Sequence, residues 1–234
     1  MAADAALLVG GCRVPTLRLY TWEPCALSLG YFQRVEDVPE AVARRGDPRR
    51  PLIRRRTGGG AIHHASELTF SIAADADHPL YTGPIAESYQ RVHRIVATAL
   101  AQFGVSAQPR GERELVSDVA GTGMCFHASH PLDLVWETPE GWAKGVGSAQ
   151  RRSEGRVLHH GSIKLGPDPL EPHVATVAHG GGQVEARELG AALIGALAAA
   201  SGVTPMPGEL TAAELAQLER EARAFAHPAF TGRR

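Results

Sequence analysis

Lysine is almost missing from this sequence. Of its 24 basic residues only Lys144 and Lys164 are lysine, and the other 22 are arginine. Arginine keeps its proton at any workable pH, whereas a desolvated lysine can serve as a base or acid in catalysis. A chain so biased keeps lysine where arginine will not serve, and Lys144 is the more informative of the two. Cysteine is scarce as well. Cys12, Cys25 and Cys125 stand at unrelated spacings, which argues against a disulfide framework and for a reducing compartment. The formal net charge of −1 gives no global pull toward nucleic acid or a membrane, so neither is expected as a partner. No apolar run approaches the ~20 residues that span a bilayer. The first residues, Met1 to Leu8, carry an acidic residue and no cationic stretch. They read as a short amphipathic helix rather than a signal peptide, and the location expected is the cytoplasm.

The 234 residues are 44% hydrophobic and 21% charged, enough for a real core under an ordinary surface. Thr16 to Thr21, Ala26 to Phe32, Pro51 to Arg56, Ala61 to Ala73 and Val157 to Leu165 read as strands. Leu132 to Trp136 and Trp142 to Gln150 form a hairpin around Thr138-Pro139-Glu140-Gly141. Helical spacing runs from Ile85 to Phe103 and ends at Gly104, with a shorter helix expected over 37–45. Residues 108–124 are irregular, and helices return at about 186–200 and 210–225. Strands interleaved with segregated helices give an α+β expectation with mixed or antiparallel sheets. The organisation expected is a catalytic domain over 1–180 and a C-terminal helical part, 181–234, packed on it.

Three runs carry candidate chemistry. Lys144 sits in Ala143-Lys144-Gly145-Val146-Gly147-Ser148-Ala149-Gln150, whose small residues let a ligand approach the backbone. A surface strand lysine is the plain alternative. Arg55-Arg56-Thr57-Gly58-Gly59-Gly60-Ala61-Ile62-His63-His64 joins two strands through three glycines, which can line a narrow channel, cradle a phosphate or merely turn a hairpin. It matches neither a P-loop nor a dinucleotide fingerprint. Cys125-Phe126-His127-Ala128-Ser129-His130 follows a glycine-rich lead, a setting for a reactive thiol, although a lone cytosolic cysteine is more often buried and inert. Zinc is a poor fit, because no second spaced pair completes a ligand set. In His159-His160-Gly161-Ser162-Ile163 one histidine is expected to point inward. The arginines at 54–56, 151, 152 and 156 suggest a basic face.

Taken in order, these runs resemble the catalytic domain shared by lipoate–protein ligases, biotin ligases and octanoyl or lipoyl transferases. The likeness covers roughly residues 1–165, with an echo in the helix at 210–221. Within it, Cys125-Phe126 before Asp133-Leu134-Val135, then Lys144 and Gly147-Ser148-Ala149-Gln150, is most similar to the cysteine–lysine octanoyltransferases. That resemblance implies the α+β fold of the biotin/lipoate ligase domain, with Cys125 as nucleophile and Lys144 as acid/base. The implied substrate slot is built from Arg55, Thr57, Gly58, Gly59, Gly60, His64, Gly147, Ser148, Ala149, His160, Gly161 and Ser162. The implied donor is octanoyl-acyl carrier protein. The implied acceptor is a lipoyl domain or a glycine-cleavage H-type protein, with neither cofactor nor metal. The chain lacks the Arg-Asn of the ATP-dependent ligases, has Gly60 where arginine is common, and has His159 where glutamine is common. Two other readings are an ATP- and magnesium-dependent lipoate ligase holding an acyl-adenylate through Lys144, and a non-catalytic acyl- or carrier-domain-binding protein.

Overall fold

The computed structural model describes residues 1–10, 13–38 and 50–232. Cys12 and most of the helix expected over 37–45 lie outside the described residues. Among the described residues there are nine strands: β1 (Thr16–Tyr20), β2 (Ala26–Leu29), β3 (Leu52–Arg54), β4 (Ile62–His64), β5 (Glu67–Asp75), β6 (Gln108–Pro109), β7 (Leu134–Thr138), β8 (Gly141–Ser153) and β9 (Arg156–Lys164). The helices are α1 (Ala2–Val9), α2 (Ile85–Ala101), α3 (Ala186–Ser201), α4 (Ala212–Ala226) and α5 (Pro228–Thr231). Six strands form one antiparallel sheet in the order β1-β5-β9-β8-β7-β6. A second sheet, β3-β2-β4, pairs β2 parallel to β3 and antiparallel to β4. The fold is α+β, with mixed and antiparallel sheets flanked by helices.

The two faces of the large sheet differ in chemistry because strand side chains alternate. Along β5, Leu68, Phe70, Ile72 and Ala74 join the main core, with Val92, Ile95, Val96, Ala99 and Leu100 of α2 and Leu189 and Leu193 of α3. The intervening Glu67, Thr69 and Ser71 turn the other way and hydrogen-bond to His64, Trp22 and Asp4 respectively. One face is therefore a greasy platform, and the other is a polar wall against α1 and the small sheet. The site is built on the polar wall.

The expected strand over 61–73 is two strands. Glu67 N–H donates to Ala65 O across a tight turn, so the chain leaves the small sheet after β4 and enters the large one as β5. The segment 168–177 is a second difference. The chain folds back against β8 and β9 before any C-terminal helix begins, with Ala175 N–H on Lys144 O and Lys164 paired with Asp168 and Glu171. α3 packs on α2, and α4 packs on α1.

Candidate active site

Both lysines of the chain flank one buried ring. Lys144 Nζ stands 5.2 Å, and Lys164 Nζ 4.8 Å, from the centroid of Phe126, and all three side chains are buried. Lys144 is thus not a surface strand residue. Its ammonium has three close oxygens: Asp133 Oδ2 at 2.7 Å, Cys125 O at 2.8 Å and Ala128 O at 3.3 Å. Cys125 Sγ lies 3.7 Å away, on a half-buried side chain. Burial opposes the Lys144 charge, but Cys125, Asp133 and the Asp133 hydrogen bond outweigh it and hold the pKa above the ordinary lysine value. The resting group is an ammonium.

The glycine loop and the cysteine segment are zipped together. Ala61 N–H donates to Gly123 O at 2.8 Å, and Cys125 N–H to Ala61 O at 2.7 Å, which makes a short parallel bridge. Gly60 permits that approach, because a Cβ there would lie 2.7 Å from Gly123 O and 2.9 Å from Cys125 N. Arginine, common at this place in the resembled proteins, does not fit here. Gly147 serves the neighbouring wall: a Cβ would come within 3.0 Å of Lys144 Cε and 3.7 Å of Cys125 Sγ.

Gly59 has φ of +96°, and a Cβ on it would point to within 4.0 Å of Cys125 Sγ. Gly59→Val would place a β-branched side chain in a backbone region it rarely adopts and at the mouth of the slot. We expect binding of an octanoyl thioester donor to weaken by at least about tenfold, while the strain, of order 1–3 kcal/mol, leaves the fold intact. Donor titration beside a thermal melt checks this, and wild-type affinity in the folded variant would reduce the loop to a turn.

A cavity of about 400 Å³, counted with the solvent space it opens to, has Cys125 in its lining. Ten of the twelve expected slot residues line it: Arg55, Gly58, Gly59, His64, Gly147, Ser148, Ala149, His160, Gly161 and Ser162. Met1, Ile62 and Thr69 line it too, and sequence reasoning did not name them for this role. Thr57 and Gly60 stand outside the lining. Thr57 is buried behind it, with its hydroxyl on His160 Nε2, and Gly60 is used up in the contact with the cysteine segment.

Buried polar groups hold the cavity's shape. The Arg55 guanidinium bonds Ser28 O at 2.8 Å, Ser28 Oγ at 2.7 Å, Gly60 O at 2.8 Å and Gly58 O at 3.2 Å, so it ties the glycine loop to β2. His64 stacks on Trp22 at 4.1 Å and bonds Glu67 Oε1 at 2.7 Å and Ser28 Oγ at 2.6 Å. Burial keeps His64 below the usual imidazole range and takes His160 down to about 3, so His160 is neutral at physiological pH. Burial opposes the charge of Glu67, yet His64, Lys164 and its hydrogen bonds pull its pKa down to about 2.

His159 and His160 are both buried, on opposite faces of β9. His159 Nε2 and His93 Nε2 approach Ser148 Oγ at 2.9 and 2.7 Å from the α2 side. His93 Nδ1–H is given to Leu132 O at 2.7 Å, so its Nε2 accepts the Ser148 proton and His159 donates to the same oxygen. The Ser148 hydroxyl is thereby engaged away from the cavity. The expected basic face is also largely internal. Arg54, Arg55 and Arg156 are buried, and Arg156 bonds Asp75 Oδ1 and Leu7 O. Arg56 lies against the rings of Phe225 and Phe230 and pairs with Glu221 of α4. Guanidinium groups satisfy several buried acceptors at once, which is how an arginine run comes to be structural.

Among the described residues, no group of three or more His, Cys, Asp or Glu could hold a metal ion, and no helix is long and apolar enough to cross a membrane.

The two sheets thus enclose a slot between a glycine loop and a strand bearing a buried lysine. The sequence profile of the lipoyl protein ligase A/B catalytic domain matches residues 6–187, and the chain belongs to that family. Among its relatives, the octanoyltransferase LipM of Moorella thermoacetica is 42% identical over 171 residues, which cover 70% of this chain and 60% of that protein. LipM of Kyrpidia tusciae is 34% identical over 244 residues, covering 92% of this chain and 86% of the relative. The match thus spans less than two thirds of the Moorella protein and most of the Kyrpidia one. In fold, the chain superposes on lipoate-protein ligase A bound with ATP at a TM-score of 0.77 and 22% identity, covering 99% and 92% of the two chains. The bipartite lipoate protein ligase of Thermoplasma acidophilum, studied with its E2 lipoyl domain, gives 0.75 at 22% identity, with 99% and 90% covered.

Proposed function

We propose that this chain is an acyltransferase of protein lipoylation, moving an octanoyl group from a carrier-protein thioester through Cys125 to a lysine of a lipoyl domain. The observation that carries this reading is the 3.7 Å approach of Lys144 Nζ to Cys125 Sγ, a residue of the cavity lining. The relatives named octanoyltransferase LipM support it.

An ammonium at that distance stabilises negative charge on sulfur, and the thiolate is the attacking form. The thiolate adds to the thioester carbonyl, forming a carbon–sulfur bond. The tetrahedral intermediate collapses by breaking the bond to the carrier's sulfur, which leaves with the Lys144 proton. Lys144 is then a neutral amine beside the acyl-enzyme. The acceptor's amine attacks the same carbonyl, Cys125 departs as thiolate, and Lys144 takes the proton lost by the amine. The ion pair is restored, with no net proton consumed. Positioned proton transfer of this kind is worth roughly 10²–10⁴-fold. The acyl chain lies in the slot behind Gly59, Gly147 and Ala149.

A thioester donor is already activated, so turnover needs no nucleotide. Transfer to a lipoyl domain is expected from octanoyl-carrier protein without ATP, and none from free lipoate with ATP and magnesium. Product confined to the second reaction would make the chain a ligase, and binding without product in either would make it a carrier-domain-binding protein.

A further inference from the structure

We infer that Asp133 is a positioning residue for Lys144: its carboxylate fixes the ammonium at the sulfur and, once Cys125 is acylated and Lys144 is neutral, draws a proton back onto the amine. The inference rests on the transfer reading above and adds a third residue to it. Asp133 is itself firmly held. The residue is 6% exposed, and its Oδ2 takes the His130 N–H at 2.7 Å besides the Lys144 ammonium at 2.7 Å. Its N–H donates to His130 O at 2.9 Å and its carbonyl accepts Arg110 N–H at 2.8 Å. The backbone of Asp133 is anchored at both its N–H and its carbonyl, and the His130 N–H holds the carboxylate before it meets the lysine, immediately ahead of β7.

The protons of Lys144 then have fixed addresses. Three N–H groups meet three oxygens, on Asp133, Cys125 and Ala128, and the sulfur is the fourth, longer neighbour. Of those oxygens only Asp133 carries charge. While Cys125 is a thiolate, two anions flank the ammonium. Once Cys125 is acylated the sulfur is neutral, and burial favours the neutral amine. Asp133 is then the adjacent anion that draws a proton back onto Lys144, and that proton comes from the attacking acceptor amine. The other charged or titratable groups near Lys144 do not replace it. Lys164 is a like charge across the Phe126 ring, and His93 is kept neutral by burial. Glu171 is spent on Lys164 at 2.6 Å.

A chain with two lysines allows a direct test. Lysine labelled with ¹³C at Cε gives two resonances, and Lys164→Arg identifies that of Lys144. Asp133→Asn keeps an oxygen acceptor of the same shape and removes the charge. We expect the Lys144 titration midpoint to fall by at least about one unit, a tenfold change in proton affinity. We expect kcat to fall by at least about tenfold, short of the roughly 10²–10⁴-fold that losing the positioned proton donor itself would cost, with KM for the octanoyl donor within about twofold of wild type. The alkaline limb of the kcat profile moves to lower pH with the midpoint. Asp133→Glu restores charge but displaces the carboxylate by one methylene, so its midpoint returns toward wild type while kcat stays low. Should the Asn variant not fold, wild-type kcat in Asp133→Glu overturns the inference. An unchanged midpoint, or unchanged kcat and pH profile in folded Asp133→Asn, overturns it equally. A lowered midpoint in a protein whose wild type forms no acyl-enzyme would leave the ion pair standing and remove the transfer reading instead.

Discussion

Cys125→Ala is expected to abolish both acyl-enzyme formation and octanoyl transfer, while Cys25→Ala and Cys12→Ala leave them intact. The reason is positional. Cys25 is exposed, at the start of the turn into β2, and does not line the cavity. Among the described residues, Cys125 is the cysteine that lines the cavity, beside a buried ammonium. Lys144→Arg is expected to lose most turnover even where the donor still binds. Arginine keeps the charge but gives up no proton, and its planar fork cannot occupy the site of a compact ammonium enclosed by Asp133, two carbonyls and the Phe126 ring. Losses of about 10²–10⁴-fold in kcat fit the removal of a positioned acid and base. Intact-mass measurement after mixing with octanoyl-carrier protein reads the outcome: an octanoyl increment on wild type, mapped to Cys125 and released by hydroxylamine. Full transfer by Cys125→Ala would end the covalent mechanism.

Sequence pattern carried some parts of this site and not others, for identifiable physical reasons. Lysine scarcity pointed at Lys144 because a compositional bias marks the residue that resists it. The three glycines pointed at a close backbone approach, and the approach exists, although at Gly60 it serves the cysteine segment and not a ligand. Asp133 gave no such signal. An aspartate before a strand ordinarily reads as a turn residue that bonds its own backbone, and Asp133 does accept the His130 N–H. Its second partner, eleven positions on, is brought to it by the β7–β8 hairpin, whose register shifts between Leu134 and Val135. The same scarcity marked Lys164, but not its burial. The last residue of a strand is usually solvated, and this one is buried because 168–177 folds back over it. Contacts made by a returning loop leave no period in the sequence.

Lys164→Met should be the most destabilising single change in the site region. Lys164 Nζ is fully buried, 2.6 Å from Glu171 Oε2, 3.1 Å from Asp168 Oδ2, 3.5 Å from Glu67 Oε2 and 2.7 Å from His63 O. One cation serves three buried carboxyl groups. Methionine fills similar volume but leaves them facing one another, and removing one partner of a buried ion pair costs about 3–5 kcal/mol. That is a large share of the ~5–15 kcal/mol that stabilises a typical domain. The loss should also depend on pH, because the carboxyls need a cation only when ionised. Glu67, drawn down to about 2 from an ordinary 4.5, contributes stability above 4.5 that disappears as pH falls toward 2. Glu171 behaves oppositely. Burial raises it to about 7, so its contribution is complete below 4.5 and is lost as pH rises through 7. Without Lys164, Glu67 loses part of its depression and Glu171 moves higher still. The gap between wild type and Lys164→Met should therefore widen from pH 5 to pH 8 and narrow below pH 4. Urea unfolding at the three pH values measures it, and a gap under about 1 kcal/mol, the size found for an exposed pair, would show that the cluster is solvated and bears no load.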